Sequence, residues 1–141
     1  MIRQRLGKDL LFFDGGMGTL LQEKGLAPGE LPETWNLTHS EEIYKIHRQY
    51  IEAGSDIILT NTFGANALKF HDDSCSLEEI IKAAVSHVKK AEREALLQTG
   101  DERKIYTALD VGPTGKLLKP MGDLEFETAY EAFKEVVILG C

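Results

Sequence analysis

The chain has 141 residues, 43% of them hydrophobic and 28% charged, which excludes a disordered chain and provides for one hydrophobic core of ordinary size. A formal net charge of -7 opposes binding to polyanions, so nucleic acid is excluded as a partner. No apolar run approaches the roughly 20 residues that cross a bilayer, and no hydrophobic signal region follows the charged N-terminus, which predicts a cytoplasmic protein without a membrane partner.

Three units of similar design follow one another. The first opens with the apolar run Leu10-Leu11-Phe12-Phe13, ends at Asp14 and passes into Gly15-Gly16-Met17-Gly18-Thr19. Continuous apolar runs without alternation suit strands buried on both faces of a parallel sheet. A loop rich in turn formers follows, from Gly25 to Asn36, carrying Pro28, Gly29, Pro32 and the sole tryptophan, Trp35. Loops of that length in a compact domain are often functional. The next helix has Ile43, Ile46, His47, Tyr50, Ile51 and Gly54 on one face. Thr38 or Ser40 is its expected cap, and Thr38 with Glu41 has capping-box spacing.

The second unit runs Ile57-Ile58-Leu59-Thr60, then Asn61 and Thr62-Phe63-Gly64. Its helix begins at Ser76, with Glu79 in capping-box register, and buries Leu77, Ile80, Ile81, Ala84, Val88, Ala91 and Ala95. The third unit runs from Ile105 to Leu109, ends at Asp110 and continues Val111-Gly112-Pro113-Thr114-Gly115. Its helix is expected to bury Phe126, Ala129, Tyr130, Phe133 and Val137, with Gly140 as C-terminal cap.

Alternating strands and helices predict an α/β fold, parallel strands joined by right-handed crossover helices. Three such units leave open sheet edges. A (β/α)8 TIM barrel takes about 250 residues or more, so residues 1–141 are expected to form its first three βα units. No internal domain boundary divides them. The open edges predict self-association.

In a barrel the C-terminal strand ends carry the chemistry. Asp14, Asn61 and Asp110 occupy that place in three successive units, where a carboxylate can hold an amine and an amide can hold a carboxylate. The alternative is that both aspartates merely cap turns, as Asp before glycine commonly does. Gly15, Gly16 and Gly18 let backbone approach a ligand, but they match neither nucleotide fingerprint. Trp35 divides between packing and pocket wall, its loop position favouring the pocket. His47 reads as a core or supporting histidine; His39, His71 and His87 read as surface residues. Cys75 and Cys141 are too few and too scattered for a disulfide framework or a closed zinc site, and Cys75 reads as an exposed thiol.

The motifs from Asp14 to Thr19, Trp35-Asn36-Leu37, Ile46-His47 with Tyr50 and Ala53-Gly54, Thr60 to Asn66, and Gly112 to Gly115 resemble, in order, the opening of the homocysteine S-methyltransferase family. The resemblance is strongest to its cobalamin-dependent, methionine-forming branch. It implies a parent enzyme that methylates the homocysteine thiol with zinc held by cysteines late in the chain, none of which this sequence contains. The implied donor is methylcobalamin, betaine or S-methylmethionine according to the branch, with methylcobalamin favoured, and a methyl donor or cobalamin module is the implied partner. Betaine-using relatives tend to carry an aromatic residue where Gly64 stands. The implied substrate-binding residues are Asp14, Gly15, Gly16, Trp35, Asn61, Thr62, Phe63, Asp110, Gly112 and Pro113, with Asp14 on the amino group. No catalytic or metal residue is expected here, and the fragment alone is expected to be inactive. The competing expectations are a non-catalytic amino-acid-binding module and an unrelated TIM-barrel lyase or isomerase.

Overall fold

The computed structural model describes residues 2–100 and 103–141. Strand β1 (Ile57–Leu59) pairs in parallel with β2 (Tyr106–Ala108), with Ile57, Ile58 and Leu59 opposite Tyr106, Thr107 and Ala108. Helices α1 (Gly18–Glu23), α2 (Trp35–Thr38) and α3 (Ser40–Glu52) precede β1, α4 (Leu77–Thr99) crosses from β1 to β2, and α5 (Phe126–Gly140) follows. The α/β alternation and the parallel pairing are as expected from the sequence.

The run from Leu10 to Phe13 departs from that expectation. It lies beside β1 but makes only a parallel bridge, Phe13 opposite Ile57. The Phe12 carbonyl accepts two consecutive N–H groups, from Asp56 at 2.8 Å and Ile57 at 3.0 Å, while the Phe12 N–H is taken by the Asp56 carboxylate at 3.1 Å. Those bonds break the even spacing of a parallel ladder. Leu10, Phe12 and Phe13 are also exposed, so no packing layer regularises the segment.

Ile58 is fully buried between α3 and α4, in a core with Tyr44, Ile51, Val88, Ala91, Ala95 and Ile105. The face of α3 is as the periodicity predicts, with Ile43, Ile46, His47 and Ile51 buried. Its cap is not. His39 occupies the N-cap without a side-chain bond, because Thr38 closes α2 and donates its hydroxyl backward to the Thr34 carbonyl at 3.1 Å. Glu41 and Glu42 in the first turn still favour the positive end of the helix dipole.

Helix α4 follows its sequence signals closely. Ser76 and Glu79 form the reciprocal capping box, and Gly100 ends the helix at φ +65°, a left-handed conformation that costs glycine least. Helix α5 presents a face rotated from the predicted one, with Ala129 buried as expected and Phe133 half-buried. It buries Ala129, Ala132 and Val136, whereas Phe126, Tyr130 and Val137 are exposed. Gly140 is not a cap: it continues the helix, and a Cβ there would come within 2.6 Å of the Leu109 side chain. Among the described residues, no helix is long and apolar enough to cross a membrane.

Candidate functional site

Asp14, Asn61 and Asp110, which follow the three apolar runs of the sequence, line one cavity of about 280 Å³. Gly15 and Phe63 share its wall. Gly16, Trp35, Thr62, Gly112 and Pro113 do not line it. Glu33, from the 3-10 turn Pro32–Thr34, and Lys69 are the charged lining side chains that the sequence did not mark as site residues; Leu31, Pro32 and Leu59 also line it unmarked.

Asp14 is placed by the bonds that dock its segment on β1. Its N–H donates to the Ile57 carbonyl at 3.0 Å, and its Oδ2 accepts the Leu59 N–H at 3.0 Å. The other oxygen, Oδ1, is buried with no hydrogen-bond partner among the described residues. Burial outweighs the Leu59 bond, and the nearby Asp110 charge adds to it, so the carboxyl is pushed up to about 6 from an ordinary 3.8. Burial also raises the pKa of Asp110. The cavity thus holds two acidic groups whose charged forms burial disfavours. An ammonium ion would offset that.

Gly15 makes room for Tyr50, since a Cβ there would lie 2.7 Å from the phenol oxygen. That oxygen donates to the Gly16 carbonyl at 3.0 Å, so α3 steadies the glycine turn that follows Asp14.

Asn61 is almost wholly buried, and its amide is engaged within the protein. Its Nδ2 donates to the Pro32 carbonyl at 2.8 Å and to Asn36 Oδ1 at 3.2 Å, which accounts for both amide hydrogens. Asn36 returns a bond to the Asn61 carbonyl at 2.8 Å. The amide therefore has no donor left for a ligand carboxylate, contrary to the chemistry its position suggested.

Thr60, Thr62 and Asp110 form a hydroxyl relay whose direction follows from donor counting. The Thr62 hydroxyl donates to the Asp110 carbonyl at 2.7 Å, since a carbonyl can only accept. Thr60, 2.7 Å away, must then donate to Thr62, while accepting the Asp110 N–H at 3.1 Å. Thr62 thus acts behind the cavity wall, tying the segment after β1 to the segment after β2. Gly112 sits behind it too: a Cβ there would lie 2.0 Å from the Phe63 carbonyl oxygen.

Glu33 is buried, and its carboxylate accepts the Gly64 N–H. Pro32 at the start of the 3-10 turn Pro32–Thr34 sets the backbone for it. A side chain at position 64 would meet this carboxylate, its Cβ only 2.8 Å from Oε1. That contact accounts for glycine here. Phe63 is half exposed, with the Lys69 ammonium 5.1 Å from its ring centroid.

Trp35 is a packing residue. It is buried with Leu21, Leu26, Ile43 and Ile46, donates from Nε1 to Glu30 at 2.7 Å, and stacks on His39 at 4.0 Å. His47 is fully buried, and neither ring nitrogen has a partner among the described residues. Burial, with His87 adding, brings its pKa down to about 4. His87 is not a free surface residue: its Nε2 lies 2.7 Å from the Asn36 carbonyl and must carry the proton. Cys75 is half-buried against the cluster of Ala65, Phe70, Ile80, Ile81 and Val136, rather than exposed, while Cys141 is exposed. Among the described residues, no three His, Cys, Asp or Glu side chains group as metal ligands. This donor set does not fit a zinc site.

The sequence model of the homocysteine S-methyltransferase family matches residues 11–140. A methionine synthase from Mycobacterium leprae (strain TN) is 30% identical over 138 residues, which is 94% of this chain and 11% of that protein. One from Mycobacterium tuberculosis (strain ATCC 25618 / H37Rv) is 30% identical over 139 residues, 94% of this chain and 12% of that protein. The chain therefore spans about a tenth of the length of these curated relatives. The metallated form of the homocysteine methyltransferase MmuM from Escherichia coli superposes with a TM-score of 0.69 at 24% identity, covering 81% of this chain and 42% of that one. Its apo form gives 0.68 at 22%, covering 95% and 45%. At that identity the likeness is one of fold.

Proposed function

We propose that this chain, which belongs to the homocysteine S-methyltransferase family, supplies the first three βα units of a (β/α)8 barrel and part of its homocysteine site. The parent enzyme, cytoplasmic on this reading, transfers a methyl group to the homocysteine thiol and releases methionine. In that reaction a bond forms between sulfur and the methyl carbon, the donor's bond to that carbon breaks, and the thiol proton leaves. The role of residues 1–141, read as one unit without internal boundary, is to bind and orient the amino acid. The donor is methylcobalamin, delivered by a cobalamin module.

The observation that carries this reading is the convergence of Asp14, Asn61 and Asp110 on one cavity, with an unpartnered Asp14 oxygen in a half-buried carboxyl. Asp14 receives the substrate ammonium, which supplies the missing hydrogen bond and offsets the burial of the carboxylate charge. Asp110 adds negative potential, and the backbone at Gly15, which lines the cavity, takes part. Zinc belongs to the family reading, but the residues present do not fit it. Its cysteine ligands therefore come from polypeptide outside this chain, and no step is routed through the metal here. On this account the 141-residue chain alone transfers no methyl group, and its exposed Leu10, Phe12 and Phe13 promote self-association.

Calorimetric titration of the intact parent protein with L-homocysteine tests the reading. Binding that Asp14→Asn abolishes supports it. Undiminished binding by that variant, or none by the wild type, overturns it. Stoichiometric methyl transfer by residues 1–141 alone would remove the claim that the chemistry needs further polypeptide.

A further inference from the structure

The cavity's negative side is well supplied, with Asp14, Glu33 and Asp110 in its wall. Its side-chain donors are few. Asn61 spends both amide hydrogens on Pro32 and Asn36, and Thr60 spends its hydroxyl hydrogen on Thr62. Lys69 is the lining side chain with donors left. It forms no ion pair with any described residue, and its ammonium rests instead at the Phe63 ring.

The backbone under Lys69 is anchored although its side chain is exposed. Its N–H donates to the Asn66 carbonyl at 3.0 Å, and so does that of Phe70 at 2.8 Å. Asn66 and Phe70 are both buried. The aliphatic stem thus swings from a fixed point at the cavity edge. Lys69 makes no ion pair with Asp14 or Asp110, whose raised pKa values have burial as their first cause. The cavity wall therefore carries an ammonium as well as carboxylates, the two kinds of charge that a zwitterion needs met.

Resting on the reading that this cavity holds an amino acid, we propose that Lys69 recognises the substrate's α-carboxylate and so makes the site selective for amino acids over amines. On binding, the ammonium leaves the Phe63 ring for the carboxylate, while the substrate's amino group meets Asp14. The carboxylate gains a charge-assisted hydrogen bond that a neutral carboxamide cannot match.

The test compares L-homocysteine with its carboxamide, which keeps the ammonium and thiol, by calorimetry on the intact protein. Lys69→Met should weaken homocysteine about 10- to 100-fold and change carboxamide binding less than about twofold. Lys69→Arg should restore most of the homocysteine affinity. An unchanged homocysteine affinity in Lys69→Met, or equal weakening of both ligands, overturns the assignment while leaving the amino-acid reading intact. If the wild type binds neither ligand, both fall together.

Discussion

The Thr62 hydroxyl donates to the main-chain carbonyl of Asp110 at 2.7 Å, so a residue outside the cavity wall fixes one inside it. Thr62→Val keeps the shape and removes the donor. It also leaves the Thr60 hydroxyl hydrogen without its acceptor. Leaving buried polar groups unpaired costs about 1–3 kcal/mol, so urea denaturation should show a loss of that size with an unchanged slope. Homocysteine affinity should fall as well, because Asp110 is no longer held in place.

Asp14 gives the site a pH dependence of definite sign. Its folded pKa lies above the ordinary 3.8, at about 6, so the folded state holds the proton more tightly than the unfolded chain. Its contribution to stability therefore declines as pH rises from 3.8 to about 6 and stays low above that. Asp14→Asn should raise the melting temperature of the ligand-free protein at pH 7.5 and leave it nearly unchanged near pH 4. Binding of an ammonium ligand runs the opposite way. It should weaken about tenfold per pH unit below pH 6 in the wild type, as followed by calorimetry.

Gly112 offers a steric test. A methyl group there would sit 2.0 Å from the Phe63 carbonyl oxygen and 2.8 Å from its ring, so backbone must move. Gly112→Ala should cost about 3 kcal/mol and displace Phe63 from the cavity wall. Denaturant melts read the first effect and titration with homocysteine the second.

His47 contributes to acid sensitivity. Its folded pKa of about 4 lies below the ordinary 6.5, so stability is fully present above pH 6.5 and is lost as pH falls toward 4. The loss should amount to roughly 3 kcal/mol once both states are protonated. His47→Leu should flatten this stretch of the stability profile, measured as denaturation midpoints between pH 7 and pH 4.

Much of this arrangement was readable in the chain itself, where local rules and tertiary packing agree. The capping box of α4, its buried stripe and the meeting of Asp14, Asn61 and Asp110 at one cavity are of that kind. The misreadings come from residues whose local signal is silent about direction. Leu10 to Phe13 looks like a buried strand, but Asp56, more than 40 positions away, takes the Phe12 N–H. Both flanks of α5 carry apolar side chains, so periodicity placed Ala129 inward but could not tell that Ala132 and Val136 join it in place of Tyr130 and Val137. Loop position says nothing of which side the Trp35 ring faces. Glu33 and Lys69 each look like solvated loop charges, and only the cavity reveals them.

The paired amides of Asn36 and Asn61 fasten the end of the long loop to the segment after β1 through bonds that water does not reach. Loop and segment therefore move as one body, and their order is already established before any ligand arrives. Binding here forfeits little backbone freedom, so the affinity of this mouth should depend weakly on temperature-driven loosening. Amide protons at these positions should exchange slowly with solvent in the empty protein, at rates a bound amino acid scarcely alters.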